Sequence, residues 1–188
     1  MRVRPGVKVI LQKDGKLLLH RYRYPSGEIC YELPGGGQNG RESALQAVRR
    51  EMLEETGLEV EVTGFLASCE EFLTDEGLLR AYPEYAHRLI LVFSAQLSSP
   101  VVHPATEMDL GQQESIWLTP QEADRLPVRP ACLAGQFTAL LRGECPGYLG
   151  GLLLPGNHRE MRLCRWIIVH TLPRRPWGGT VGTAMAPP

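Results

Sequence analysis

No apolar run in the 188 residues is long enough to span a bilayer. Near the start, "MRVRPGVKVILQKDG" offers only Val9-Ile10-Leu11, too short for the core of a secretory signal, so the chain is expected in the cytoplasm with no membrane partner. Cysteine is sparse, with five residues at Cys30, Cys69, Cys132, Cys145 and Cys164. Their number is odd, no C-x-x-C pair exists, and no histidine stands at a zinc-finger spacing from one. This excludes a disulfide framework and a structural zinc site, and the thiols read as small semi-buried residues. Excess charge of one sign is missing too. The formal net charge of −1 leaves no bulk surface for a nucleic acid polymer. There is no internal repeat. What remains is 43% hydrophobic and 22% charged residues, the mix of an ordinary globular protein of one main domain.

Turn chemistry and periodicity divide the chain. Residues 7–13 and 16–24 read as strands joined at Asp14-Gly15, a tight hairpin pair. Leu33 to Gly37, "LPGGG", is a loop. Residues 42–56 read as a helix with Leu45, Val48 and Met52 inward and Gly57 as its stop. Residues 58–62 alternate as a half-buried strand that can extend past Gly64 to Cys69. The run Leu89 to Phe93 is a strand expected in mid-sheet, covered on both faces. Ile116 to Leu118 is a short strand running into Thr119-Pro120-Gln121-Glu122, a helix start. Residues 131–141 read as one more helix. Residues 71–87 read as a long polar loop carrying Tyr82 and Tyr85. The pattern predicts an α/β domain with a mixed sheet and helices on both faces. Its bounds are taken as 1–155, followed by an extension over 156–188. Within that extension 162–172 suits one more strand or helix, and 173–188 has too little apolar content to order itself.

The stretch "REMLEETG" raises a physical question. Glu51, Glu54 and Glu55 crowd the side of the helix where it meets the body of the protein, and like charges at that spacing repel. A solvated acidic face neutralised by Arg49 and Arg50 is the plain alternative. Against it stands the Gly35-Gly36-Gly37 loop just upstream, which lets backbone approach a ligand closely. Hard divalent cations take oxygen ligands, and Mg²⁺ combines a few carboxylates with waters and substrate phosphates. If repulsion dominates, Glu55→Gln should leave apo stability unchanged or slightly raised.

From Gly36 to Leu58 the sequence reads "GGQNGRESALQAVRREMLEETGL". Gly36, Glu42, Arg50, Glu51, Met52, Glu54, Glu55, Gly57 and Leu58 fall at every specified position of the Nudix box, and the chain resembles the Nudix hydrolases, MutT-like enzymes. That resemblance implies an α/β/α sandwich and a pyrophosphohydrolase cleaving a nucleoside diphosphate linked to another group with Mg²⁺ or Mn²⁺. It implies Glu51, Glu54 and Glu55 as metal ligands, with a carbonyl at Gly35 or Gly36 as a further ligand. Arg50 then orients a glutamate, and Glu42 supports from the helix N-terminus. The general base stays open among Glu51, Glu54 and a later loop acid such as Glu114.

The substrate is less legible. Arg21 and Arg23 share one face of a strand, and arginine forks suit phosphate oxygens. With Gly36 and Gly37 they are the candidate substrate-binding residues. Cross-strand packing is the alternative for the arginines. The lead-in "HRYRYPSGEICYELPGG" is similar to that of ADP-sugar enzymes of the family. The proline often found beyond the box in ADP-ribose enzymes is absent, with Leu73 and Thr74 in that place. A nucleotide sugar such as ADP-ribose and a nucleoside triphosphate stand level as expected small-molecule substrates. A catalytically silent nucleotide-sensing module and an interaction protein are the other classes, and a homodimer is left open.

Overall fold

Both residues of the Asp14-Gly15 turn take positive φ, 50° and 73°, the geometry that lets two right-twisted strands meet without splaying. In the computed structural model, which describes residues 3–24, 27–109, 111–145 and 147–154, this turn joins β1 (Arg4–Lys13) to β2 (Lys16–Arg23). β3 (Ile29–Glu32) follows, then α1 (Ala44–Thr56), β4 (Leu58–Leu73), α2 (Glu76–Ala81) and β5 (His87–Val102). The chain continues through β6 (Gln112–Leu118), α3 (Pro120–Ala123), β7 (Val128–Arg129), α4 (Phe137–Leu141) and β8 (Tyr148–Leu154). The sheet order is β7-β3-β2-β1-β5-β4-β8, with β6 on β2. The β1–β5 pair is parallel and β4–β5 antiparallel, so the sheet is mixed, as the sequence predicts. No helix among the described residues is long and apolar enough to cross a membrane.

β5 lies in mid-sheet. Its Ile90 and Val92 join Ala123, Leu133, Phe137 and Leu140 in one core. Phe93 joins Ala47, Val48 and Met52 of α1 in the other. The period of two along the strand thus supplies both layers, and helices cover both faces.

The structure corrects several elements. Residues 131–141 are not one helix: a 3₁₀ turn at Ala131–Leu133 and α4 are separated at Gly135, whose φ of 72° no continuous helix accepts. The stretch 71–87 is not all loop, because β4 runs to Leu73, Asp75 caps α2, and a 3₁₀ turn spans Pro83–Tyr85. β8, within the Gly- and Pro-rich region after 143, pairs parallel with β4; local composition gives no sign of it, since partnership with β4 creates it. The expectations for 156–188 lie outside the described residues.

Candidate active site

The sheet splits beside the glycine loop. β2 pairs with β1 only next to the turn, at Gln12–Leu17 and Lys13–Lys16. Further along, β2 pairs with β3 through His20–Glu32 to Arg23–Ile29. The loop after β3 fills the opening: Val9 N–H donates to Pro34 O and Val7 N–H to Gly36 O, each at 2.9 Å. Close approach demands glycine here. Gly35 has φ 120°, and a Cβ on it would lie 2.4 Å from Val7 O. A Cβ on Gly36 would lie 2.6 Å from both carboxylate oxygens of Glu51.

α1 delivers the acids to that loop. Ser43 caps it, accepting from Gln46 N–H at 3.2 Å while Gln46 Oε1 accepts from Ser43 N–H at 2.8 Å. Gly57, φ 68°, ends it. The inward stripe differs from the one read in the sequence. Leu45 is 42% exposed, and Ala47 takes its place with Val48 and Met52. This rotation carries Glu51 and Glu55, four and eight residues after Ala47, onto the buried face, and each is only 8% exposed. Glu54 lies one step outward.

Arg50 ties the cluster together. Its Nε and Nη2 clasp Glu42 at 3.1 and 2.6 Å, Nη2 also reaches Gly37 O at 2.9 Å, and Nη1 donates to Glu51 Oε1 at 2.8 Å and Glu54 Oε2 at 2.9 Å. A guanidinium has five N–H groups, and all five are engaged. No donor is left over for a phosphate, and the side chain holds three glutamates, Glu42, Glu51 and Glu54. Arg50→Lys should cost about 2 kcal/mol in urea unfolding, because three rotating donors cannot replace the fork. Unchanged stability would mean the carboxylates are held elsewhere.

The two buried acids feel opposite surroundings. Burial pushes the Glu51 carboxyl up, partly countered by Arg50 and reinforced by Glu55 and Glu54. Burial also penalises ionised Glu55, but His20, Lys8 and the Gly35 N–H together outweigh it and bring its pKa below the ordinary value. Gly35 N–H donates to Glu55 Oε2 at 2.8 Å, and His20 Nε2 lies 3.4 Å from the same oxygen. Among the described residues no group of three acidic, histidine or cysteine side chains converges at ligand spacing. The donor chemistry nevertheless fits a hard cation: three carboxylates within two turns of helix, one of them desolvated and crowded by its neighbours.

Other sequence candidates lie apart from this cluster. Arg21 pairs in register with Glu114 and meets its carboxylate at 3.1 Å, while the preceding His20 pairs with Ser115 on the side facing Glu55. Alternation therefore puts Arg21 and Glu114 on the opposite side of the sheet, so Glu114 is not a loop acid beside the helix carboxylates but a strand residue engaged with Arg21. Arg23 is exposed at the end of β2, where its N–H donates to Gly111 O. Gly37 packs against the Arg4 guanidinium, and a Cβ there would meet it at 2.9 Å.

Sequence reasoning passed over a second polar group at the split. Lys8, 6% exposed, donates to Leu33 O at 2.9 Å and stands 3.5 Å from Glu32. Glu71, equally buried, accepts from Arg88 Nη1 at 3.1 Å. Burial raises its pKa against the pull of Arg88, with Glu32 adding to the rise. Arg4 lies 4.3 Å and Arg88 5.7 Å from the centre of the Tyr85 ring. The available signal was a polar side chain inside each apolar stretch: Lys8 in "VKVIL" and His20 after three leucines.

Comparison with known proteins agrees with this arrangement. A NUDIX domain model matches residues 2–139. A Caenorhabditis elegans protein assigned to the same family is 47% identical over 57 residues, and the match spans only 26% of that relative. The CTP pyrophosphohydrolase of Escherichia coli is 29% identical over 132 residues, 70% of this chain and 87% of the relative. A NUDIX hydrolase structure from Nitrosomonas europaea superposes with a TM-score of 0.58 at 22% identity, covering 75% of this chain and 89% of that one. With its box on α1 and its sheet matching those of its relatives, the chain belongs to the NUDIX domain family.

Proposed function

We propose that the chain is a pyrophosphohydrolase dependent on Mg²⁺ or Mn²⁺ and acting on a nucleoside polyphosphate, with a nucleoside triphosphate ahead of a nucleotide sugar. The observation that carries this is the pair of buried carboxylates, Glu51 and Glu55, held against the Gly35-Gly36 backbone. The ionised form of Glu51 is disfavoured by burial and by its acidic neighbours, and a cation shared with phosphate offsets that cost. Glu51, Glu54 and Glu55 would hold the cation, which offsets phosphate charge and eases loss of a proton from water.

The chain's own groups do the rest. Arg50 engages one oxygen each of Glu51 and Glu54 and leaves the other oxygen of either carboxylate free of its guanidinium. One of these two accepts the proton of the attacking water, which adds to phosphorus as the bridging P–O bond breaks. The Lys8, Glu32, Glu71, Arg88 and Tyr85 group would take the nucleoside end, offering charged donors, acceptors and an aromatic face. The preference for a triphosphate draws support from the Escherichia coli relative, described as a CTP pyrophosphohydrolase.

A hydrolysis screen over nucleoside triphosphates, nucleotide sugars and dinucleotides tests this reading. Release of nucleoside monophosphate and pyrophosphate, abolished by chelation and restored by Mg²⁺ or Mn²⁺, is the expected result. Full turnover after exhaustive chelation would remove the metal chemistry, and no turnover on any substrate would favour a silent binding module.

A further inference from the structure

His20 sits on β2 with no exposed surface, directly behind Glu55. Its tautomer can be read from its neighbours. Gln112 Oε1 accepts from Asp109 N–H at 3.2 Å, which fixes the amide orientation and turns Gln112 Nε2 toward His20. That NH₂ group lies 3.2 Å from His20 Nδ1, and an amide nitrogen only donates. Ser115 Oγ lies 2.9 Å from the same Nδ1, and its hydroxyl rotates to suit. Nδ1 is therefore the acceptor and the ring proton resides on Nε2, the atom 3.4 Å from Glu55 Oε2. Nε2 is buried and has no formed hydrogen bond. Gly35 N–H addresses the same Oε2. Two donors thus converge on one oxygen of Glu55.

We propose that His20 is a positioning residue for Glu55: its ring, held as the Nε2–H tautomer by Gln112 and Ser115, acts with Gly35 N–H to fix Oε2 and would leave Oε1 for the cation. This rests on Glu55 being a metal ligand. The physical logic is that of any outer partner that orients a ligating carboxylate: it restricts rotation about the terminal torsion, so less entropy is lost when the cation arrives.

Two measurements on the full chain test it. Long-range ¹⁵N-edited NMR of the metal-free protein should show His20 with Nε2 protonated and Nδ1 bare. A protonated Nδ1 would overturn the proposal without any reference to activity. Mn²⁺ alone is then titrated into wild type, His20→Phe and His20→Gln, with Glu55→Gln as a reference. His20→Phe keeps a ring and removes the donor, and Mn²⁺ affinity should fall about 10- to 100-fold. His20→Gln places an amide N–H near the lost Nε2–H and should recover most of that loss. Equal loss in both His20 variants, or none in His20→Phe, would overturn the positioning role. If Phe prevents folding, the Gln variant and the NMR tautomer still decide. Should Glu55→Gln bind Mn²⁺ as well as wild type, the metal reading itself fails, which is a different result from failure at His20.

Discussion

Glu51→Gln and Glu55→Gln should both cut kcat about 10³-fold, ~4 kcal/mol of lost transition-state stabilisation, while moving the stability of the metal-free protein in opposite directions. The activity loss follows from removing a ligand charge while keeping the shape. The stability split follows from surroundings. Glu51 is buried beside like charges and its pKa is raised, so the fold disfavours its ionised form. Gln at 51 keeps an oxygen for Arg50 and removes that penalty, and apo Tm should rise. Glu55 is held below its ordinary pKa despite burial, so the fold favours its charge through His20, Lys8 and Gly35 N–H. Gln at 55 forfeits that attraction, and apo Tm should fall.

The signs carry over to pH. Glu55 contributes stability that is present above the unfolded carboxyl value, about 4.3, and is lost as pH falls through its lower folded value. Glu51 does the reverse. Its destabilising contribution is absent below the unfolded value and complete only above its raised folded value. The Glu55→Gln variant should therefore show a flatter loss of stability on acidification than wild type. Urea unfolding of the apo proteins at neutral and acid pH reads all of this. Equal Tm shifts of one sign would show that crowding among the acids, rather than their separate partners, governs the helix. The sequence alone suggested that outcome for Glu55, and its contacts reverse the expectation.

Gly35→Ala should destabilise the protein by about 4 kcal/mol or more, a size reserved for severe steric or backbone conflicts. Two costs act together. A φ of 120° is a conformation that residues with a Cβ rarely adopt, and the added carbon would sit 2.4 Å from the carbonyl oxygen of Val7. That oxygen belongs to a central strand paired along its length with β5, so it has little freedom to retreat. Any displacement of residue 35 also withdraws the N–H that Glu55 accepts. Gly40→Ala is a fair control, since a Cβ there meets nothing within 4 Å. Chemical denaturation of both variants measures the difference, and comparable stabilities would mean the loop is more adaptable than its packing indicates.

The sequence by itself determined the carboxylate helix and its stop, the glycine loop and the alternation of helices and strands. These are local properties: a left-handed Gly57 and apolar residues at helical or strand period. It also showed the mixed α/β class, because β1, β2 and β5 carry turn signals and apolar runs within themselves. Only the tertiary structure decided the rest. α1 turns Ala47 inward in place of Leu45 because it must settle its whole apolar face on a sheet already formed, and that rotation buries Glu51 and Glu55 instead of leaving them at the edge. Arg21 and Glu114 meet because β6 pairs with β2 from more than ninety residues away. Lys8, Glu32 and Glu71 come together, and His20 reaches Glu55, because β1 parts from β2 where the Gly35 loop enters, a gap that exists only once the strands have found their partners. Period and turn chemistry act between neighbours in the chain. The groups that set the behaviour of Glu55 come from β1, β2 and the loop after β3, and no local pattern brings them within reach of one another.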